Sequence, residues 1–230
     1  MTKTRFVGDA HGMKYELSLV LDNLPEDVTE VIQVGDMGVG FGQGDYWHES
    51  LDEMMKSVNG KFIRGNHDSP AVCKTMQSWI PDGLVQNDAM FIGGAWSIDY
   101  QWRTMGLDSW EDEELSHTEF NELIDVYDLV RPRVMVTHDC PESVSLEMFI
   151  KTGNSLAGTT QFKTKTGAAL QAMFEIHQPA LHLFGHWHRD KNEIINGTRF
   201  ICLAELSYCD VDMDTLEVTW PEYQVERMKR

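Results

Sequence analysis

The chain has 230 residues, 42% of them hydrophobic and 24% charged, enough to bury the core of one globular domain spanning 1–230. Its formal charge of −18 has the wrong sign for broad contact with duplex nucleic acid, which depends on Lys and Arg neutralising phosphates. No apolar run approaches the roughly 18 residues of a membrane helix. MTKTRFVGDAHG lacks the apolar heart of a signal peptide, and Cys73, Cys140, Cys202 and Cys209 form no CxxC pair, so a cytoplasmic protein with reduced thiols is expected.

Short apolar runs alternate with amphipathic ones, the rhythm of a layered α/β domain. TRFVG reads as a strand and GMKYELSLVLDNL as a helix stopped near Pro25. VIQVG is a strand, YWHESLDEMMKSV a helix and KFIRG a strand. Ser69 followed by Pro70 marks a helix start. AMFIGGAWSI is expected to form a strand pair element, and SHTEFNELIDVY opens with the capping box Ser116…Glu119. RVMVT and LHLFG are two further strands, and Asn196-Gly197 predicts a hairpin turn between NEII and TRFICLAEL.

The strand ends repeat one arrangement. Five times an apolar strand stops at Gly or Thr and then presents a metal-competent side chain: Asp9 and His11; Asp36; Asn66, His67 and Asp68; His138; and His186 with His188. Singly, Asp9 is as readily a helix cap and Asp36 a turn residue. In layered α/β folds, however, ligands bind beyond the carboxyl ends of strands, so five such turns can converge. Their oxygen and nitrogen donors suit borderline divalent metals. Two cations about 3.5–4 Å apart can share a hydroxide nucleophile and clamp phosphoryl oxygens. A carboxylate such as Asp36 can bridge them, and the neutral amide of Asn66 can ligate without adding charge beside a phosphate. His67, next to a ligand but spare, is the natural acid for the leaving alkoxide. Asp68 is a candidate to orient it.

GDAHG, GDMG, GNHD, THD and GHWH, in that order from Asp9 to His188, resemble the signature of the calcineurin-like metallophosphoesterases. GGAWSIDYQWR through EDEELS, with THDCP, is similar to the short single-domain members of bacteria and their phages. The resemblance implies a four-layer α-β-β-α sandwich and two divalent ions. It places Asp9, His11, Asp36 and His188 around one, and Asp36, Asn66, His138 and His186 around the other. Mn²⁺ is the expected metal, with Fe, Zn, Ni or Mg as alternatives.

GDMGVGFG lacks the later Asp and Arg of the GDxVDRG element of Ser/Thr protein phosphatases, which argues against a dedicated protein phosphatase. Its glycines are not a P-loop, since no GK[ST] follows, and read as a flexible turn. Residues 99–115 break the α/β rhythm and read either as a solvated insertion or as a lid. There Trp102 and Trp110 are available to stack on a ring, and Arg103 to bind phosphate. Residues 151–168 hold Lys151, Lys163 and Lys165 without an acid and read as a loop at the rim. His48, His117, His177 and His182 need no ligand role. The expectation is therefore a phosphoesterase for a small phosphorylated substrate, more a nucleotide or related diester than a protein. A catalytically silent scaffold binding a protein partner is the alternative. A nuclease is disfavoured by the charge.

Overall fold

Alternation within each strand decides which face it buries. In β1 (Lys3–Val7) Phe6 enters the space between two sheets, while Val7 packs outward beneath α1 (Lys14–Leu21) and α2 (Asp45–Ser57). The computed structural model describes residues 2–42, 44–150 and 163–222. One sheet takes β1, β2 (Val28–Gln33), β3 (Gly60–Phe62), β10 (Tyr208–Asp212) and β11 (Val218–Thr219), in the order β11-β10-β1-β2-β3. The other takes β4 (Val85–Gln86), β5 (Ala89–Ile92), β6 (Val134–Thr137), β7 (Leu181–Phe184), β8 (Lys191–Ile195) and β9 (Thr198–Cys202), in the order β4-β5-β6-β7-β9-β8.

Phe6, Ile32, Phe91, Val136, Leu183 and Ile201 fill the space between the sheets. Outside the first sheet, Leu17, Leu51, Met55 and Cys73 of α1, α2 and α3 (Pro70–Cys73) cover Val31 and Phe62. Outside the second, Phe120 and Tyr127 of α4 (His117–Val130) and, beyond the short α5 (Glu142–Ser145), Leu170 and Met173 of α6 (Lys165–Ile176) cover Met90, Ile92 and Met135. This is the α-β-β-α layering that the resemblance implies. Each fully buried side chain of this size is worth about 1.5–3 kcal/mol.

β1, β2 and β3 run parallel, with Val7 opposite Gln33 and Gln33 opposite Phe62. β5, β6, β7 and β9 also run parallel, with Val136 opposite Leu183. These registers bring neighbouring carboxyl ends level, so their turns lie side by side. Among the described residues no helix is long and apolar enough to cross a membrane.

The local signals held at several places. Ser116 accepts from Glu119 N, and the Glu119 carboxylate accepts from Ser116 N, closing the capping box. Asn196 and Gly197 have φ of 50° and 88°, the two left-handed residues of a tight hairpin joining β8 to β9. Two expectations are corrected. After β5, residues 93–98 are not strand: Gly93 donates to the Asp82 carboxylate and Gly94 to the Arg64 carbonyl, so neither feeds a ladder. Nor is 151–168 a loop to its end, because Thr164 accepts from Gly167 N and starts α6 at Lys165. Lys151 lies outside the described residues.

Candidate metal centre

Five turns deliver the candidate ligands to one edge of the two sheets. Asp9 and His11 follow β1, Asp36 follows β2, and Asn66 and His67 follow β3. His138 follows β6, and His186 and His188 follow β7. Glycine follows four of these strands, β1, β2, β3 and β7, for a steric reason. A Cβ at Gly65 would collide with Asp36 Oδ1, and one at Gly185 with Asp9 Oδ1. His11, Asp36, His186 and His188 have φ of 45°, 57°, 64° and 50°. Non-glycine residues in the left-handed region cost of order 1–3 kcal/mol each, and such strain concentrates at functional sites.

The donors form two groups sharing one carboxylate. Ligand atoms of Asp9, His11, Asp36 and His188 all lie within 4.8 Å of one another. His11 Nε2 faces His188 Nε2 at 3.0 Å, and His188 Nε2 is 3.1 Å from Asp9 Oδ2. In the second group, Asn66 Oδ1 is 2.9 Å from His186 Nδ1 and 3.2 Å from His138 Nε2. Asp36 Oδ1 is also 3.2 Å from His138 Nε2, whereas Asp36 Oδ2 is 3.8 Å from His11 Nε2.

This donor set fits cations. His138 Nδ1 donates to the Val34 carbonyl at 2.9 Å, which leaves the Nε2 lone pair facing two oxygen acceptors. Three lone pairs at one point require a proton or a metal between them. Burial pushes the His138 imidazole down, but the Asp36 charge and hydrogen bond outweigh it and raise it to about 10. Asp36 is buried, which favours its neutral form, yet His138 and His67 hold it well below the ordinary carboxylate range. Burial lowers His11 and His186 toward the neutral form that metals take. Hydrogen bonding to Asp9 raises His188.

Tryptophan between the two candidate ligand histidines anchors their turn. Trp187 stacks on Phe149 with centroids 4.5 Å apart and donates Nε1 to Asp139 Oδ1 at 3.0 Å. His67 stands beside both donor groups, its Nδ1 2.9 Å from Asp36 Oδ2. Asp36, not Asp68, therefore orients that ring. Asp68 is buried and accepts from the backbone N–H groups of Met37, Gly38, Val39 and Gly65 at 2.7–3.1 Å. The glycine-rich turn after β2 is thus pinned where it carries Asp36.

Part of the 99–115 insertion reaches the site. Arg103, with its side chain 5% exposed, pairs with Asp99 at 2.8 Å and touches His67 Nε2. Trp110 packs edge-on to Phe41 at 5.2 Å, and Phe41 lies 5.8 Å from the His67 ring. Trp102, at 82% exposed, stays on the surface. Lys165 occupies the first turn of α6, and Lys163 lies exposed just before it. His182 is buried and bonded to Thr137 Oγ1, and it belongs to neither donor group. Sequence reasoning missed Glu205, whose carboxylate is 3.7 Å from His188 and 3.9 Å from His11. It also missed Phe41, Ser97 and Glu113. None of these carries a local motif, and Glu113 is hidden in an acidic run.

The model of the calcineurin-like phosphoesterase family matches residues 2–190. No curated protein sequence matches the chain. Solved structures share its fold at low identity. The protein TT1561 of Thermus thermophilus is 11% identical, with TM-score 0.57 over 96% of this chain and 99% of that one. A dimetal phosphatase from Danio rerio is 13% identical, with TM-score 0.54 over 91% of each chain. With the ordered motifs and the α-β-β-α layers, the match across residues 2–190 makes this chain a member of the calcineurin-like phosphoesterase family.

Proposed function

We propose that the chain is a cytoplasmic binuclear metal-dependent phosphoesterase acting on a small phosphate ester, a nucleotide-like diester or monoester. The carrying observation is the reach of Asp36, with Oδ1 3.2 Å from His138 Nε2 and Oδ2 3.8 Å from His11 Nε2. One carboxylate so placed can serve two cations. On this reading Asp9, His11, Asp36 and His188 hold one divalent ion, and Asp36, Asn66, His138 and His186 hold the other. Mn²⁺ suits the mixed oxygen and nitrogen donors. Such a pair, when bound, supplies an activated water nucleophile and neutralises charge on the phosphoryl oxygens.

The chain's own groups do the rest. Asp36 fixes His67 Nδ1, so that once a bound phosphoryl oxygen draws Arg103 off Nε2 the protonated ring can offer its Nε2 proton to the departing alkoxide. Arg103, braced by Asp99, is placed to donate to a phosphoryl oxygen beside Nε2. Phe41 lies beside His67, on the side assigned to the leaving alcohol, with Trp110 packed edge-on against it, and such rings suit a planar base. Lys163 and Lys165 are assigned to holding or steering the anion. The net charge of −18 favours a compact phosphate over a long polyanion.

The test is a panel of monoesters, linear and cyclic diesters and dinucleoside polyphosphates, assayed with chelator-stripped protein reloaded with individual metals. Hydrolysis restored by Mn²⁺ with two ions bound per chain is the expected result. Full activity without metal would sink the proposal, and two bound ions with no turnover would favour the scaffold reading.

A further inference from the structure

Glu113 belongs to the acidic run EDEEL, which as sequence reads as a solvated face. It is instead 7% exposed, and donors occupy both of its oxygens. Oε1 accepts from Trp110 N at 3.1 Å and faces the Arg103 guanidinium at 3.7 Å. Oε2 accepts from Ser97 Oγ at 2.5 Å. Ser97 Oγ in turn accepts from Asn66 Nδ2 at 3.1 Å. The other end of that amide, Oδ1, points at His138 and His186.

We propose that Glu113 is a positioning residue which, through Ser97, sets the direction of the Asn66 amide so that oxygen and not nitrogen faces the second metal position. This deepens the binuclear reading and rests on it. The chain of bonds has only one polarity. A carboxylate has no proton to give, so the single Ser97 hydroxyl proton goes to Glu113. The hydroxyl oxygen is then left as an acceptor and takes the Asn66 NH₂. An amide group has one accepting and one donating end, so its oxygen must turn to the ligand cluster. Every link is buried, where a reversed or missing hydrogen bond has no water to replace it.

Glu113→Gln tests the polarity at almost constant volume. The Oε1 side faces only donors, the Trp110 N–H and Arg103, so the glutamine must place its oxygen there. Its NH₂ then meets Ser97 Oγ, whose proton can only swing toward Asn66. Asn66 flips and presents a non-ligating NH₂ to the second position. Asn66→Asp in the Glu113→Gln background removes this conflict, because a carboxylate accepts at both ends. In the wild-type background Asn66→Asp creates a conflict, because its inner oxygen faces the Ser97 oxygen without a proton between them.

The experiment is calorimetric titration of Mn²⁺ into chelator-stripped wild type, Glu113→Gln, Asn66→Asp and the double variant. Elemental analysis and thermal melting of each apo form accompany it. Wild type should take up two ions, and Glu113→Gln should keep one site intact while the other weakens about 10–100-fold, the usual effect of losing an outer-shell partner. Asn66→Asp should restore the second ion to Glu113→Gln and weaken it in wild type. Two tight ions in a normally folded Glu113→Gln would overturn the relay alone. An equal effect of Asn66→Asp in both backgrounds would do the same, since added charge would then explain it. A single ion in wild type would overturn the binuclear reading and the relay with it.

Discussion

Asp36 holds His67 at two points: Oδ1 accepts the His67 backbone N–H at 2.6 Å, and Oδ2 lies 2.9 Å from the ring Nδ1. The carboxylate shared by the two donor groups thus also aims the ring assigned to the leaving group. His67→Ala should leave ion uptake nearly unchanged and lower turnover by roughly 10²–10⁴-fold for esters with poor leaving groups. The loss should shrink for p-nitrophenyl esters, whose leaving group hardly needs a proton. Equal losses across a leaving-group series would assign the ring to positioning. Asp36→Asn should weaken both ions together and misdirect His67, which ion uptake and turnover read on one sample.

Asp68 holds the turn that carries Asp36 through four backbone N–H groups. Asparagine in its place turns an NH₂ toward at least one of these donors, at a cost of about 1–3 kcal/mol. Asp68→Asn should therefore lower the denaturant midpoint and weaken Mn²⁺ uptake, although Asp68 is not assigned to either ion. Unchanged uptake would mean that the turn holds its shape without this anchor.

Burial lowers His182 from 6.5 to about 3. Above pH 6.5 neither folded nor unfolded chain is protonated there, and the contribution to stability is fully present. Below it the unfolded chain binds a proton that the folded chain refuses, so stability falls by up to about 1.4 kcal/mol per pH unit. His182→Gln should flatten this acid limb. Denaturant unfolding at pH 7 and pH 5 should show about 2 kcal/mol less pH dependence in the variant than in wild type. Parallel curves would refute the assignment.

Lys165 stands in the first turn of α6, where a cation opposes the helix dipole. Its removal should leave stability unchanged or slightly higher, so a kinetic defect cannot be ascribed to unfolding. If Lys163 and Lys165 steer substrate, Lys163→Ala/Lys165→Ala should raise KM more than it lowers kcat. The defect should fade with salt, as screening within about 8 Å at physiological ionic strength requires. A wild-type KM at low salt would make both lysines plain surface.

Reading the chain alone reaches the turns that carry the candidate ligands, the capping box at Ser116 and the Asn196-Gly197 hairpin. These are local: a strand end, a cap and a turn depend on residues a few positions apart. The glycines before Asn66 and His186 are visible in the sequence too, although their cause, the neighbouring Asp36 or Asp9 oxygen, is not. Asp68 was legible as polar and unreadable as an anchor, because its amide partners at 37–39 lie about thirty positions away.

Only the tertiary structure decided the rest. The return of β10 beside β1 is sealed by the buried Arg5–Asp210 pair, whose members are 205 positions apart. Arg103 meets His67 across 36 positions, and Glu113 reaches Asn66 through Ser97 in steps of 16 and 31. Composition marked residues 99–115 as acidic and aromatic, and such a run is equally at home in water. Folding separates its members: packing leaves Trp102 in solvent, whereas Glu113 sits among donors that satisfy a buried carboxylate. Which acid is buried depends on where those donors come to lie, and that is settled by how the two sheets bring distant turns together.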